Sequence, residues 1–118
     1  MIGFMFSERA RLYLWDIVND ADRLTAFVDG MDADALADDD RTLLAVERLF
    51  QRITEAVIQI GADDMARIGP ELPVDKIRGL GNRLRHDYRK IDPRLLLQTA
   101  HEDLPLLRAA AARALEGE

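Results

Sequence analysis

Apolar side chains recur along this chain at intervals of three and four residues, the period of a helix buried on one face. Leu12, Leu14, Trp15, Ile17, Val18, Ala21, Leu24 and Val28 form the first such stripe. Ser7 precedes it as an N-cap, Glu8 falls in its first turn, and Gly30 supplies a stop. The acidic stretch Asp32–Asp40, with its small apolar insert Ala35, Leu36 and Ala37, reads as a loop with at most one helical turn. Asp40 is expected to cap the next helix. That helix is long, with Leu43, Leu44, Val46, Leu49, Phe50, Ile53, Ala56, Val57 and Ile60 in a broad stripe. Gly61 is either tolerated inside it or marks a bend; the pattern resumes with Met65, Ala66 and Ile68 and ends at Gly69-Pro70. A further helix is predicted from about Val74 to Arg89. Asp92-Pro93 pairs a cap with Pro at the first helical position, opening a last helix through Leu95, Leu96, Leu97, Ala100, Leu104 and Leu107 to Leu115. Pro105 should kink that helix or split it in two. There is no sustained alternation and no Asn-Gly hairpin, so no strand is expected. The prediction is an all-α, antiparallel bundle of four to five helices, with residues 1–118 as a single domain.

Composition changes this picture little but narrows the chemistry. The chain has 118 residues, enough for one core. It has no cysteine, which excludes a disulfide, a thiolate metal site and a Cys nucleophile. The apolar start Met1-Ile2-Gly3-Phe4-Met5-Phe6 lacks a basic region and reaches Ser7-Glu8-Arg9 too soon for a signal peptide. No apolar run approaches a membrane span, and the cytoplasm is the expected location. The net charge of −6 argues against a protein coated in nucleic acid. The charge is uneven, however. Between Asp75 and Lys90 stand Lys76, Arg78, Arg83, Arg85, Arg89 and Lys90 against only Asp75 and Asp87, whereas Asp32–Asp40 is strongly acidic.

The basic segment carries the candidate chemistry. At about 100° per residue, Ile77, Leu80, Gly81, Leu84 and Tyr88 project to one side, the core side, and His86 projects about 180° from Ile77. Arg78, Asn82 and Arg89 flank His86 on one side; Gly79, Lys90 and Arg83 flank it on the other. An imidazole near its own pKa can take a proton from a ribose 2′-hydroxyl or give one to a leaving oxygen. Guanidinium groups can hold the phosphate and stabilise the charge developing on it. That route to phosphodiester cleavage needs no metal or cofactor, and none is expected. Gly79 and Gly81 cost helix stability, and the close approach of another backbone, such as a subunit interface, would be a reason to keep them. On the pattern alone, a lone His among arginines is more often plain surface.

Asn82-Arg83-Leu84-Arg85-His86-Asp87-Tyr88, followed by Ile91-Asp92, resembles the signature of HepT-like proteins of the HEPN superfamily. The order of the other segments agrees: Tyr13-Leu14-Trp15-Asp16-Ile17, Arg41-Thr42-Leu43-Leu44-Ala45-Val46-Glu47, Ile53-Thr54-Glu55-Ala56, Leu72-Pro73, Ile77-Arg78-Gly79 and Asp103-Leu104-Pro105. The resemblance spans essentially the whole chain. It implies a helical bundle that forms a homodimer with its two active-site faces together, and a metal-independent ribonuclease toxin acting on RNA. It also implies an antitoxin partner, a minimal nucleotidyltransferase that can attach AMP to the Tyr of the motif. Carried over, His86 is the catalytic residue, Asn82 a polar helper and Tyr88 the modification target. One departure stands out. The family places an Arg with four to six residues between it and the His, and those positions here are Gly81, Leu80 and Gly79. Arg78, which shares a face with Asn82 and His86, or Arg83, less than one turn from His86, is expected to supply the guanidinium, Arg78 being slightly preferred through a facing subunit. The alternative function is a non-catalytic HEPN module that binds the nucleotidyltransferase partner or a nucleotide; the missing Arg favours it.

The remaining candidates are weaker. Gly79-Leu80-Gly81 follows no strand and lacks a third glycine, so it is no dinucleotide loop. His101 beside Glu102 and Asp103, and the acids Asp38–Asp40, read as solvated surface rather than metal ligands. Glu55 reads first as a surface Glu, with a pairing to His86 or to a motif Arg as its sharper alternative. Trp15 is assigned to the core, because Leu14, Ile17 and Val18 surround it in sequence.

Overall fold

The computed structural model describes residues 6–86 and 91–117. Among the described residues the chain forms seven helices and no strand: α1 (Glu8–Val28), α2 (Ala33–Asp38), α3 (Asp40–Ile60), α4 (Ala62–Ile68), α5 (Val74–His86), α6 (Pro93–Glu102) and α7 (Leu104–Glu116). The all-α prediction holds. The helices outnumber the four to five expected because two long stripes are interrupted and the acidic stretch is itself helical.

Each boundary has a local cause. Ser7 Oγ accepts from the Ala10 amide at 3.0 Å and opens α1; Gly30 closes the following turn at φ +72°. Asp32 Oδ1 accepts from the Ala35 amide at 2.8 Å, which turns the predicted loop into the short helix α2, anchored by the fully buried Leu36. The cap of α3 is Asp39, one residue before the expected Asp40. The Thr42 hydroxyl donates to it at 2.7 Å and the Thr42 amide at 3.1 Å, and these bonds hold the Asp39 carboxyl below the usual carboxylate range. Gly61 ends α3 at φ +93°, a left-handed conformation that separates α4 as its own element. Pro105 lies in the first turn of α7, where its missing N–H does no harm, so the last stripe is split rather than kinked.

The molecule is elongated, 53 × 28 × 22 Å. Its spine is α3, with α1 on one side and α5 on another; α7 packs on α1, and α2 and α6 pack together at one end. Contacts pairing Arg9 with Gln59 and Arg52 with Asp20 run α1 antiparallel to α3. The approach of Gln51 to Leu84, of Thr54 to Gly81 and of Val57 to Arg78 runs α5 antiparallel to α3 as well. Leu14, Ile17, Leu24, Val46, Phe50, Ile53, Leu96 and Leu107 are essentially inaccessible at the centre. Among the described residues, no helix is long and apolar enough to cross a membrane.

Trp15 is not part of this core. It is half exposed, as is Leu12. A residue next to Leu14 in sequence lies about 100° from it around the helix, so apolar neighbours along the chain do not share one face.

Candidate ribonuclease site

Helix α5 lies on α3 through Ile77 and Leu80, both buried, with Leu84 half-buried behind them. Arg78, Asn82, Arg83 and His86 are exposed, so the face assigned to chemistry from the helical period is the one that meets solvent. Asp75 sits in the first turn and Arg83, Arg85 and His86 in the last, a charge order that matches the helix dipole. Tyr88, Arg89 and Lys90 lie outside the described residues, and with them the expectation that the helix continues to Arg89.

Gly81 is required by its own chain. A Cβ built there would stand 2.6 Å from the Thr54 Cβ and closer still to its hydroxyl, so α5 meets α3 at a point where only glycine fits. The close approach inferred from sequence is therefore between α5 and α3. Gly79 has open space around it. The same Cβ would lie 3.2 Å from Arg85 Nη1, because the Arg85 side chain folds back beside Gly81. Arg85 Nη2 donates to Asn82 Oδ1 at 2.7 Å, and its buried Nη1 lies 3.5 Å from Glu55 Oε2 without a hydrogen-bond partner. Glu55 thus pairs with a motif arginine, as its sharper reading had it, while its side chain stays 47% exposed at the surface.

The other arginines are placed differently. Arg78 lines a pocket of about 170 Å³ with Val57, Gly61, Met65 and Val74 at the opposite end of α5 from His86. Eight residues separate the two, roughly 12 Å along the axis. Arg83 is exposed and makes no ion pair among the described residues. A bond from α3 fixes the helix just before His86: Gln51 Nε2 donates to the Leu84 carbonyl at 3.0 Å. Arg48 Nη1 in turn donates to Gln51 Oε1 at 3.3 Å.

Beyond Arg85 opens a groove of about 590 Å³ between α1 and α3, to which Tyr13, Asp16, Arg48, Gln51, Arg52 and Glu55 contribute. Asp20, only 2% exposed, lies at its floor, held by Arg52 Nε at 2.8 Å and by Arg23 Nη1 at 3.5 Å. The hydrogen bond to Asp20, and then its charge, raise the Arg52 pKa further above an already high value. Sequence reasoning missed this groove. Its signal was present in Asp16 and Asp20 on one helix and Arg48 and Arg52 on another, each pair one turn apart.

The family described as "Ribonuclease HepT-like" matches residues 17–114, and with them nearly all of this architecture. The chain belongs to the HepT-like ribonuclease family. A "probable ribonuclease HepT" of Thermococcus cleftensis is 31% identical over 96 residues, covering 81% of this chain and 86% of that protein. A "putative RNase" of Methanocaldococcus jannaschii is 26% identical over 98 residues, covering 83% and 84%. No solved structure matches at comparable significance. Within this HepT-like chain, the expected site residues divide: Asn82, Arg83 and His86 share the exposed end of α5, while Arg78 stands apart from them within one chain.

Proposed function

We propose that this HepT-like chain is a metal-independent ribonuclease, the toxin half of a toxin–antitoxin pair acting in the cytoplasm. The observation that carries the reading is the exposed His86 at a basic helix end, one turn after an Asn82 that Arg85 holds by a hydrogen bond. In the reaction the ribose 2′-oxygen attacks the adjacent phosphorus as its proton passes to a base. The bond from phosphorus to the 5′-oxygen breaks, and that oxygen receives a proton. The products are a 2′,3′-cyclic phosphate and a free 5′-hydroxyl. His86 serves as base or acid, and in a homodimer the second copy's His86 serves as the other. Asn82 orients the phosphate. The guanidinium comes from Arg83 within the chain, from Arg85 beside the glycine that replaces the family's Arg, or from Arg78 of a facing copy. A minimal nucleotidyltransferase is the antitoxin partner, with Tyr88 as the site of AMP attachment.

Gly81 favours a second reading, a non-catalytic module that binds the nucleotidyltransferase or a nucleotide. One experiment separates the two: purified protein and its His86→Ala variant are incubated with several RNAs in EDTA. The ribonuclease reading expects cleavage that survives chelation, leaves cyclic phosphate ends and falls by about a hundredfold or more in the variant. Activity that vanishes on chelation and returns with magnesium removes the mechanism. Equal activity in parent and variant removes the catalytic role of His86, and no cleavage by either leaves the binding module. Sedimentation at micromolar concentration checks the dimer.

A further inference from the structure

We infer that the trough between α1 and α3 is the path of a single RNA strand leading to the His86 end of α5. This inference rests on the ribonuclease reading and adds to it a binding surface that meets the reacting groups only at Arg85. The groove beside Arg85 does not stop at Arg52. A second hollow of about 410 Å³ shares Arg48 and Arg52 with the first and continues past Arg23 to Phe27. The combined trough thus carries four guanidiniums, from Arg85, Arg52, Arg48 and Arg23, against the carboxylates of Asp16, Asp20 and Glu55. In a chain of net charge −6 this is a local reversal of sign.

Two of the three carboxylates are committed. Asp20 is buried and holds Arg52 and Arg23, and Glu55 faces Arg85 and accepts from Gln59 at 3.0 Å; Asp16 acts on Arg52 only through its charge. Arg48 is different, because its hydrogen bond goes to the neutral Gln51. Its guanidinium keeps its full charge for a phosphate. Aromatic rings stand near both ends of the trough: Phe27, 45% exposed, lines the second hollow, and Tyr13, part-buried with the Arg9 guanidinium 5.5 Å over its ring, lines the first. Fourteen residues of helix separate them, roughly 21 Å. A charged track with aromatic platforms is what a single strand uses, its phosphates on guanidiniums and its bases on rings. A trough between two helices packed about 8–10 Å apart is too narrow for a duplex. Gln51 links the trough to the site, since it bonds to Arg48 on one side and to the Leu84 carbonyl on the other.

The test uses the full-length His86→Ala protein, so that RNA is bound without being cut, and a fluorescent single-stranded RNA read by anisotropy. Arg48→Ala is expected to weaken binding roughly tenfold and to lower the slope of log affinity against log salt by about 0.7, one phosphate contact on a single strand. Phe27→Ala is expected to weaken it roughly fivefold or more. Arg113→Ala, an exposed change on α7, should bind like the parent. Arg52 is left intact because it neutralises the buried Asp20, and thermal melts establish that the other variants fold. If Arg48→Ala and Phe27→Ala bind RNA with the parent's affinity and salt slope, the trough is not the RNA path, although the ribonuclease reading stands. If the parent binds no RNA, both fail. Variants that lose self-association while keeping RNA affinity show the trough to be an interface between copies, which also overturns the inference.

Discussion

The two ends of α5 are held to the same bundle by different means. At its N-terminal half, Ile77 and Leu80 are buried, and Lys76 Nζ reaches Asp103 Oδ2 at 2.8 Å. At its C-terminal end the attachments are polar: Gln51 to the Leu84 carbonyl, Arg85 to Glu55, and Arg85 to Asn82. Burial is non-directional and is lost only when the helix leaves. Hydrogen bonds to exposed side chains are individually weak and exchange with water or with a ligand. The fold therefore spends its apolar contacts where nothing needs to move. It leaves the end that carries His86 held by polar groups able to exchange partners.

The sharpest way to break this comparison is to remove burial at each end in turn. Leu80→Ala should destabilise the protein by about 2–5 kcal/mol, because the space behind it is walled by Phe50, Ile53 and Leu107 and cannot collapse freely. Leu84→Ala, at a half-buried position, should cost about half as much. Denaturant melts that gave equal losses would show that the C-terminal end is packed as firmly as the N-terminal one. Next in size is Gly81→Ala, at the boundary between the two halves. Its methyl must push α5 from Thr54 or displace Arg85, at a cost of about 1–3 kcal/mol. Thr54→Gly in the same chain should recover part of that loss, whereas Gly79→Ala, with nothing within 4 Å of its Cβ, should not destabilise.

Gly81 also shows where the sequence was legible and where it was not. Periodicity placed the exposed face of α5 and its core residues correctly, because Ile77, Leu80 and Leu84 depend only on the turn of the helix. The Ser7 and Asp92 caps and the stop at Gly30 were also legible, while Gly61 was left between a tolerated glycine and a bend. What required a partner element could not be read. The reason for Gly81 lies in Thr54, twenty-seven positions earlier in the chain. The pairing of Glu55 with Arg85 is likewise a property of two helices meeting. Trp15 failed for a different reason, since neighbours along the chain were taken for neighbours in space. The helix α2 was hidden by composition: its acids looked like a loop, yet Asp32 caps it and a single buried Leu36 anchors it. At the site, the exposed face that carries Arg78, Asn82, Arg83 and His86 was legible from the turn of the helix. The bonds of Arg85 to Asn82 and to Glu55 were not.

A smaller effect sharpens the comparison at the polar end. Gln51→Ala leaves the Leu84 carbonyl without its side-chain donor and releases Arg48 from its hydrogen bond. The loss in global stability should be about 0.5–1.5 kcal/mol. Amide hydrogen exchange should locate it, with faster exchange confined to the last turn of α5 and no change around Ile77. Uniform acceleration along α5 would mean that its two ends open as one unit, and the distinction between them would then be one of chemistry only.

The smallest effect belongs to the ion pair at the other end, and pH isolates it. The close contact of Lys76 with Asp103, aided by the charges of Asp103 and Glu102, raises the Lys76 pKa above its ordinary 10.5. A group whose folded pKa lies above its unfolded one binds its proton more tightly in the folded state. Its contribution is therefore fully present below the ordinary value and is lost as pH rises through the raised one. The Lys76 side chain is half exposed, so the contribution is screened, but Asp103 is only 8% exposed and would be left without its cation. Lys76→Met should accordingly lower stability by a constant amount from neutral pH to about pH 10, and the gap to the parent should close above that. Comparing the two proteins cancels every other group that titrates at alkaline pH. A gap that stays constant into strong alkali would mean that Lys76 acts through its methylene stem rather than its charge, and the N-terminal end of α5 would then be held by packing alone.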